Sequence, residues 1–156
     1  DHFYLPHVES TAGFDFHGHS GVATISYPQI GDIGHEDTGG NSGMLKAGGL
    51  QIMSAGAGIL HKETVYPDNF IADAFQLWVA LPEHSQEMGP VSYSSLQKQD
   101  IPIVENHGAK MVIDEVSLDL LGGAEIDFVR EMVGSAFRVN NPNATSSCGC
   151  GASFSI

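Results

Sequence analysis

The sequence predicts a mainly β protein: a small β-barrel or sandwich over residues 1 to about 105, followed by a small α+β segment over residues 106–156. Three observations carry this prediction. The nineteen glycines fall between short β-like runs and not in low-complexity blocks, which describes many tight turns. The runs recur at regular spacing, as in barrels and sandwiches. Beyond residue 106 the pattern changes to strand, helix and two further strands, with no internal repeat linking the halves.

The elements follow in order. Gly21–Tyr27 (GVATISY) reads as a strand and Glu36–Ser42 (EDTGGNS) as a turn rich in residues that tolerate positive φ. Leu50–Ser54 is a strand, the glycine-spaced Ala55–Gly58 interrupts it, and Ile59–Glu63 (ILHKE) resumes extended structure. Phe75–Leu81 (FQLWVAL) is a buried apolar run. Residues 83–106 are polar, carry Pro90 and Pro102, and read as a meandering connector. Ala109–Ile113 is a short strand, and Asp114 is placed to cap a helix through Leu121 that Gly122 and Gly123 stop. Ile126–Val129 and Ala136–Val139 read as strands, and the tail from Asn140 is rich in Asn, Ser, Gly and Cys.

Composition narrows the function classes. Six Lys and Arg against nineteen Asp and Glu give a formal charge of −13, which repels phosphate backbones, so direct nucleic-acid binding is not expected. No run approaches the roughly 18 apolar residues of a membrane span, and the N-terminus lacks signal-peptide character; a cytoplasmic protein is expected. The chain opens at Asp1 within what reads as the middle of a domain, so further N-terminal residues are expected. Cys148 and Cys150 are too close in sequence for an unstrained bridge, which fits a reducing compartment.

The chemistry rests on strand alternation. Residues two apart share a face, so His17 and His19 in FHGHS can aim two imidazoles at one point, and His61 and Glu63 in LHKE repeat the arrangement. A single HxH pair more often marks unrelated histidines than ligands, but two such pairs can converge from opposite walls of one barrel. Three nitrogens and one carboxylate oxygen, with positions left open, suit Fe(II), Mn, Ni or Cu better than closed structural zinc; iron is the first expectation. His2, His7, His35, His84 and His107 lack spaced partners and read as ordinary surface residues.

The stretches GFDFHGHSGVATISY, HEDTGGNSGMLKAGGLQIMSAGAGILHKE and AFQLWVALP resemble, in order, the N-terminal cupin domain of the pirin family over residues 1–105. The resemblance implies a cupin-type β-barrel with His17, His19, His61 and Glu63 as ligands, usually of iron. It also implies quercetin 2,3-dioxygenase activity or a metal-dependent regulatory role. Three departures are expected near the pocket: Gly18 and Ser20 within the HPHRG pattern, Ile52 in place of an aromatic residue, and Ala57 in place of Arg. Pirins carry two cupins and no second one follows here, so self-association or docking of the C-terminal segment is expected.

MVIDEVSLDLLGGAEIDFV and AFRVNNPNATSSCGCGASFSI resemble the C-terminal half of A-type, HesB-like iron-sulfur carriers over residues 107–156. The resemblance implies that Cys148 and Cys150 are the paired thiolate ligands. A cluster takes four ligands, so two thiolates need a second chain, another ligand or a partner protein. Three functions therefore compete: an iron-dependent oxygenase acting on a flavonol or enediol-like small molecule with Glu63 as proton acceptor, a noncatalytic metal-dependent regulatory or redox-sensing module, and an iron or cluster carrier using Cys148 and Cys150.

Overall fold

The period-two patterns of the N-terminal half form antiparallel strands in a computed structural model, which describes residues 1–83, 86–113, 115–132, 134–147 and 154–155. The chain divides into two units, Asp1–Ile101 and Pro102–Ile156.

The first unit contains β1 (His2–Pro6), β2 (Ala12–His19), β3 (Val22–Ile30), β4 (Asp32–Asp37), β5 (Ser42–Leu45), β6 (Leu50–Ser54), β7 (Ile59–Tyr66), β8 (Ile71–Ala80) and β9 (Ser92–Leu96). They build a five-stranded sheet, β1-β8-β3-β6-β9, and a four-stranded sheet, β2-β7-β4-β5, with antiparallel pairing throughout. The inner faces meet around Ile33 and Leu45 from one sheet and Ala74 from the other, with Phe3 packed against them. Met53, Val65 and Ala72 are also buried. This apolar cluster fixes the spacing of the sheets, while polar residues line another part of the same interior.

Two readings change here. The stretch 83–106 is more than a connector: β9 pairs with β6 from Leu50↔Leu96 to Ser54↔Ser92 and completes the five-stranded sheet. Its alternation of small serines hides a strand whose stability comes from the neighbour it pairs with. Glu36 and Asp37, placed in a turn by the sequence, end β4. The turn that follows is held by the Asp37 carboxylate, whose Oδ1 accepts from the Gly39 and Asn41 amides at 2.8 Å each.

The outer face of the five-stranded sheet carries Phe75, Leu77, Val79, Ile52 and Leu96, all exposed. Ile52, expected near the pocket, lies on this outer face, because its neighbours Gln51 and Met53 take the buried inward positions of β6.

The second unit contains β10 (Ile103–Asn106), β11 (Ala109–Val112), the six-residue α1 (Glu115–Leu120), β12 (Glu125–Glu131), β13 (Gly134–Asn140), β14 (Ser146–Ser147) and β15 (Phe154–Ser155). Each sheet here is a two-stranded hairpin, an arrangement with little burial of its own. Asn141 is buried and donates from Nδ2 to the Leu120 carbonyl at 3.0 Å, and Asn143 Nδ2 donates to the Gly122 carbonyl at 2.9 Å. Asn141 thereby satisfies a carbonyl that the helix end leaves open, and Asn143 holds the turn that follows it. Among the described residues no helix is long and apolar enough to cross a membrane. Asp114, His84, Cys148 and Cys150 lie outside the described residues.

Candidate metal centre

The site is written by register. Across the four-stranded sheet Asp37 sits opposite His61 and His61 opposite His17, while in the next row His35 sits opposite Glu63 and Glu63 opposite Phe14. Glu63 and His61 are two residues apart, but Phe14 and His17 are three apart, so β2 carries one extra residue as a bulge. The bulge places both Phe14 and the His17/His19 pair on the inner face. Just before it, Gly13 has φ +152°, and a Cβ there would collide with the Glu63 carbonyl oxygen, so only glycine lets β2 lie this close to β7.

His17, His19 and His61 come together: one ring nitrogen from each lies within 4.8 Å of the others. Ring centroids are 4.5 Å apart for His17 and His61, 5.0 Å for His17 and His19, and 4.9 Å for His19 and His61. The strands that supply them are neighbours in one sheet, so the expectation of opposite walls is corrected; the i, i+2 pairs are brought together by direct pairing. His17 Nδ1–H donates to the Asp15 carbonyl at 2.8 Å, which fixes the tautomer and leaves Nε2 with its lone pair.

Burial pushes His61 down to about 4, with help from His17, His19 and His35, against the opposing charge of Asp37. His19 is lowered by burial and by His17. These imidazoles are therefore neutral donors at neutral pH, the state a cation requires. Neither ring nitrogen of His61, nor Nε2 of His19, has a hydrogen-bond partner. Buried, unpaired nitrogens are costly unless something occupies them, and three converging lone pairs fit a divalent metal ion.

Glu63 is buried on the same face of β7 but outside the 4.8 Å set formed by the three histidines. Burial raises its pKa, partly countered by His17 and by the Gln76 hydrogen bond. Gln76 Nε2 donates to Glu63 Oε1 at 3.3 Å and to Ser26 Oγ at 3.2 Å, and the Trp78 indole N–H donates to Gln76 Oε1 at 2.7 Å. Trp78 stands edge-on to His19, with centroids 5.0 Å apart, and is 54% exposed. Phe14 is 51% exposed beside His17 at 6.2 Å. Two inward-facing aromatic rings that remain this accessible mark the open side of the centre.

His35 is corrected from an ordinary surface residue. It faces inward, stacks on Tyr93 with centroids 4.8 Å apart and has a buried Nδ1 without a hydrogen-bond partner. Burial lowers its pKa, against Asp37. Tyr93, from β9, has its hydroxyl buried without a well-formed hydrogen bond, and burial together with Asp37 and Glu63 raises its pKa. His2 pairs with Asp73 at 2.7 Å at the surface, and His7 and His107 are exposed. His35/Asp37 and Gln76/Trp78 are themselves i, i+2 pairs, the signal that would have found them had HED been read as strand.

Known proteins place this geometry. Residues 2–79, half of the chain, match the family model Pirin, and residues 83–152 match Iron-sulphur cluster biosynthesis. The second match begins before the resemblance at residue 107 and includes β9 of the first unit. A crystal structure of quercetin 2,3-dioxygenase from Acinetobacter baumannii is similar over 70% of this chain and 40% of that one, at 33% identity and TM-score 0.60. The bacterial pirin YhhW of Escherichia coli in complex with nickel(II) is similar over 62% of this chain and 39% of that one, at 28% identity and TM-score 0.52. The iron-sulfur cluster insertion protein ErpA of Histophilus somni is 56% identical over 54 residues, 35% of this chain and 48% of the relative. The chain spans 32–42% of the length of curated pirin-type relatives. A cupin-type double sheet bearing a histidine triad, with that sequence match, makes this chain a member of the pirin family, with a following segment similar to iron-sulphur cluster biosynthesis proteins.

Proposed function

We propose that the first unit is a mononuclear metal centre held by His17, His19, His61 and Glu63, with Fe(II) as its cation, that oxidises a flavonol or enediol-like small molecule. The observation that carries this reading is the convergence of three imidazoles, two of which, His19 and His61, have buried nitrogens with no other partner. The bound ion would supply Lewis-acid and templating chemistry. The residues do the rest. Phe14 and Trp78 offer apolar ring faces at the open side, suited to a planar substrate. Glu63, buried on the same face of β7 as His61, would accept a hydroxyl proton from such a substrate. Iron-loaded protein is expected to consume O2 when given quercetin; absence of turnover by a fully loaded sample would end the oxygenase assignment and leave the regulatory, partner-binding role of the same centre.

A second reading has its own support in the family match over residues 83–152, which spans Cys148 and Cys150. It is iron or cluster delivery, with a second chain or a protein partner completing the ligands. Anaerobic reconstitution should then give a visible thiolate-to-iron absorption band that Cys150→Ser removes, and a colourless wild type would exclude it. The exposed apolar face of the five-stranded sheet supports self-association or a protein partner in either case.

A further inference from the structure

The hydrogen bonds from Trp78 to Gln76 and from Gln76 to Glu63 run in a fixed direction. An indole N–H only donates, so the 2.7 Å contact assigns Gln76 Oε1 as acceptor and turns the Gln76 amide nitrogen toward Glu63 and Ser26. The carboxylate is engaged through Oε1 alone by this side chain. The same indole lies edge-on to His19, one of the converging imidazoles. One exposed ring therefore touches the triad directly and reaches the acidic residue through an amide.

We infer that Trp78 and Gln76 form a positioning arm that holds Glu63 by one oxygen, and thereby sets the affinity of the centre for a divalent cation. This rests on Glu63 serving as the fourth ligand. Gln76 sits two residues before Trp78 on β8, so both project inward from the sheet opposite the histidines. Without the indole donor the amide is free to flip and present its oxygen to the carboxylate; without the amide the buried carboxylate loses the donor that orients Oε1. Partners one step removed from a metal typically change its affinity by about 10- to 100-fold.

The test is cobalt(II) titration of the full chain, followed by visible absorption and by quenching of Trp78, the single tryptophan. Gln76→Leu and Trp78→Phe are each expected to weaken binding by about 10-fold or more. The double variant should bind no more weakly than Gln76→Leu, since both changes cut one chain of bonds. The cobalt band should move in Gln76→Leu, a response that general loosening of the fold would not give. Should Gln76→Leu fail to fold, Trp78→Phe, at a half-exposed position, carries the same expectation. Wild-type affinity and spectrum in both variants, with binding lost in His61→Ala, would overturn the arm and leave the centre standing. Unchanged binding in Glu63→Gln would also overturn it, and no cobalt binding by the wild type would overturn arm and centre together.

Discussion

His61→Ala is expected to abolish metal-dependent stabilisation of this protein. His61 is the middle residue of the row Asp37, His61, His17, and both of its ring nitrogens are buried without partners. Losing a direct ligand costs more than the roughly 10- to 100-fold that outer partners cost. In nickel(II) at about 100 times the wild-type dissociation constant, the wild type gains about 2.7 kcal/mol from binding, and the variant gains essentially none. The metal-free variant changes less than a core truncation would, because deleting an imidazole whose nitrogens are unsatisfied removes a desolvation cost along with packing. Thermal melts of both proteins with and without nickel(II) check this. An equal nickel-induced rise in the variant would show that the cation binds elsewhere.

Acidification of the metal-free protein gives the second large effect. His61 titrates near 6.5 in the unfolded chain and is pushed down to about 4 in the fold. Between those values the unfolded state holds more protons, so stability falls as pH drops from about 6.5 and levels off below about 4. The interval corresponds to about 3 kcal/mol for His61 by itself. The lowered His19 and His35 add to the loss, whereas Glu63, raised by burial, opposes it by taking up a proton more readily in the folded state. Urea midpoints from pH 7 to pH 4 should fall steeply in the wild type and more shallowly in His61→Gln, which carries no titrating ring. Equal slopes would mean that His61 is not buried as a neutral imidazole.

The two pairs His17/His19 and His61/Glu63 were legible because a strand repeats every two residues, and the surrounding turn glycines marked where strands end. His35, Asp37, Gln76 and Trp78 were harder to find. His35 and Asp37 sit next to DTGG, whose turn chemistry masks the strand before it, and QLW reads as plain core although two of its three side chains face the site. Tyr93 lies among serines whose strand forms only against β6. In the second unit the β12–β13 hairpin was visible from its two β-rich runs, with Val139↔Ile126 and Phe137↔Phe128 as cross-strand pairs, whereas β10 lay hidden in the stretch read as a connector.

By itself the sequence determined which three histidines come together, the mainly β character and the pirin family, because these depend on residue identity and short-range periodicity. Tertiary structure decided which strands are neighbours. It put β2 and β7 side by side with a bulge between Phe14 and His17, so the histidines meet by pairing within one sheet and not across the interior. It also brought Trp78 and Gln76 over from the facing sheet. Register and strand order arise from contacts between residues far apart in the chain, and no local pattern encodes them.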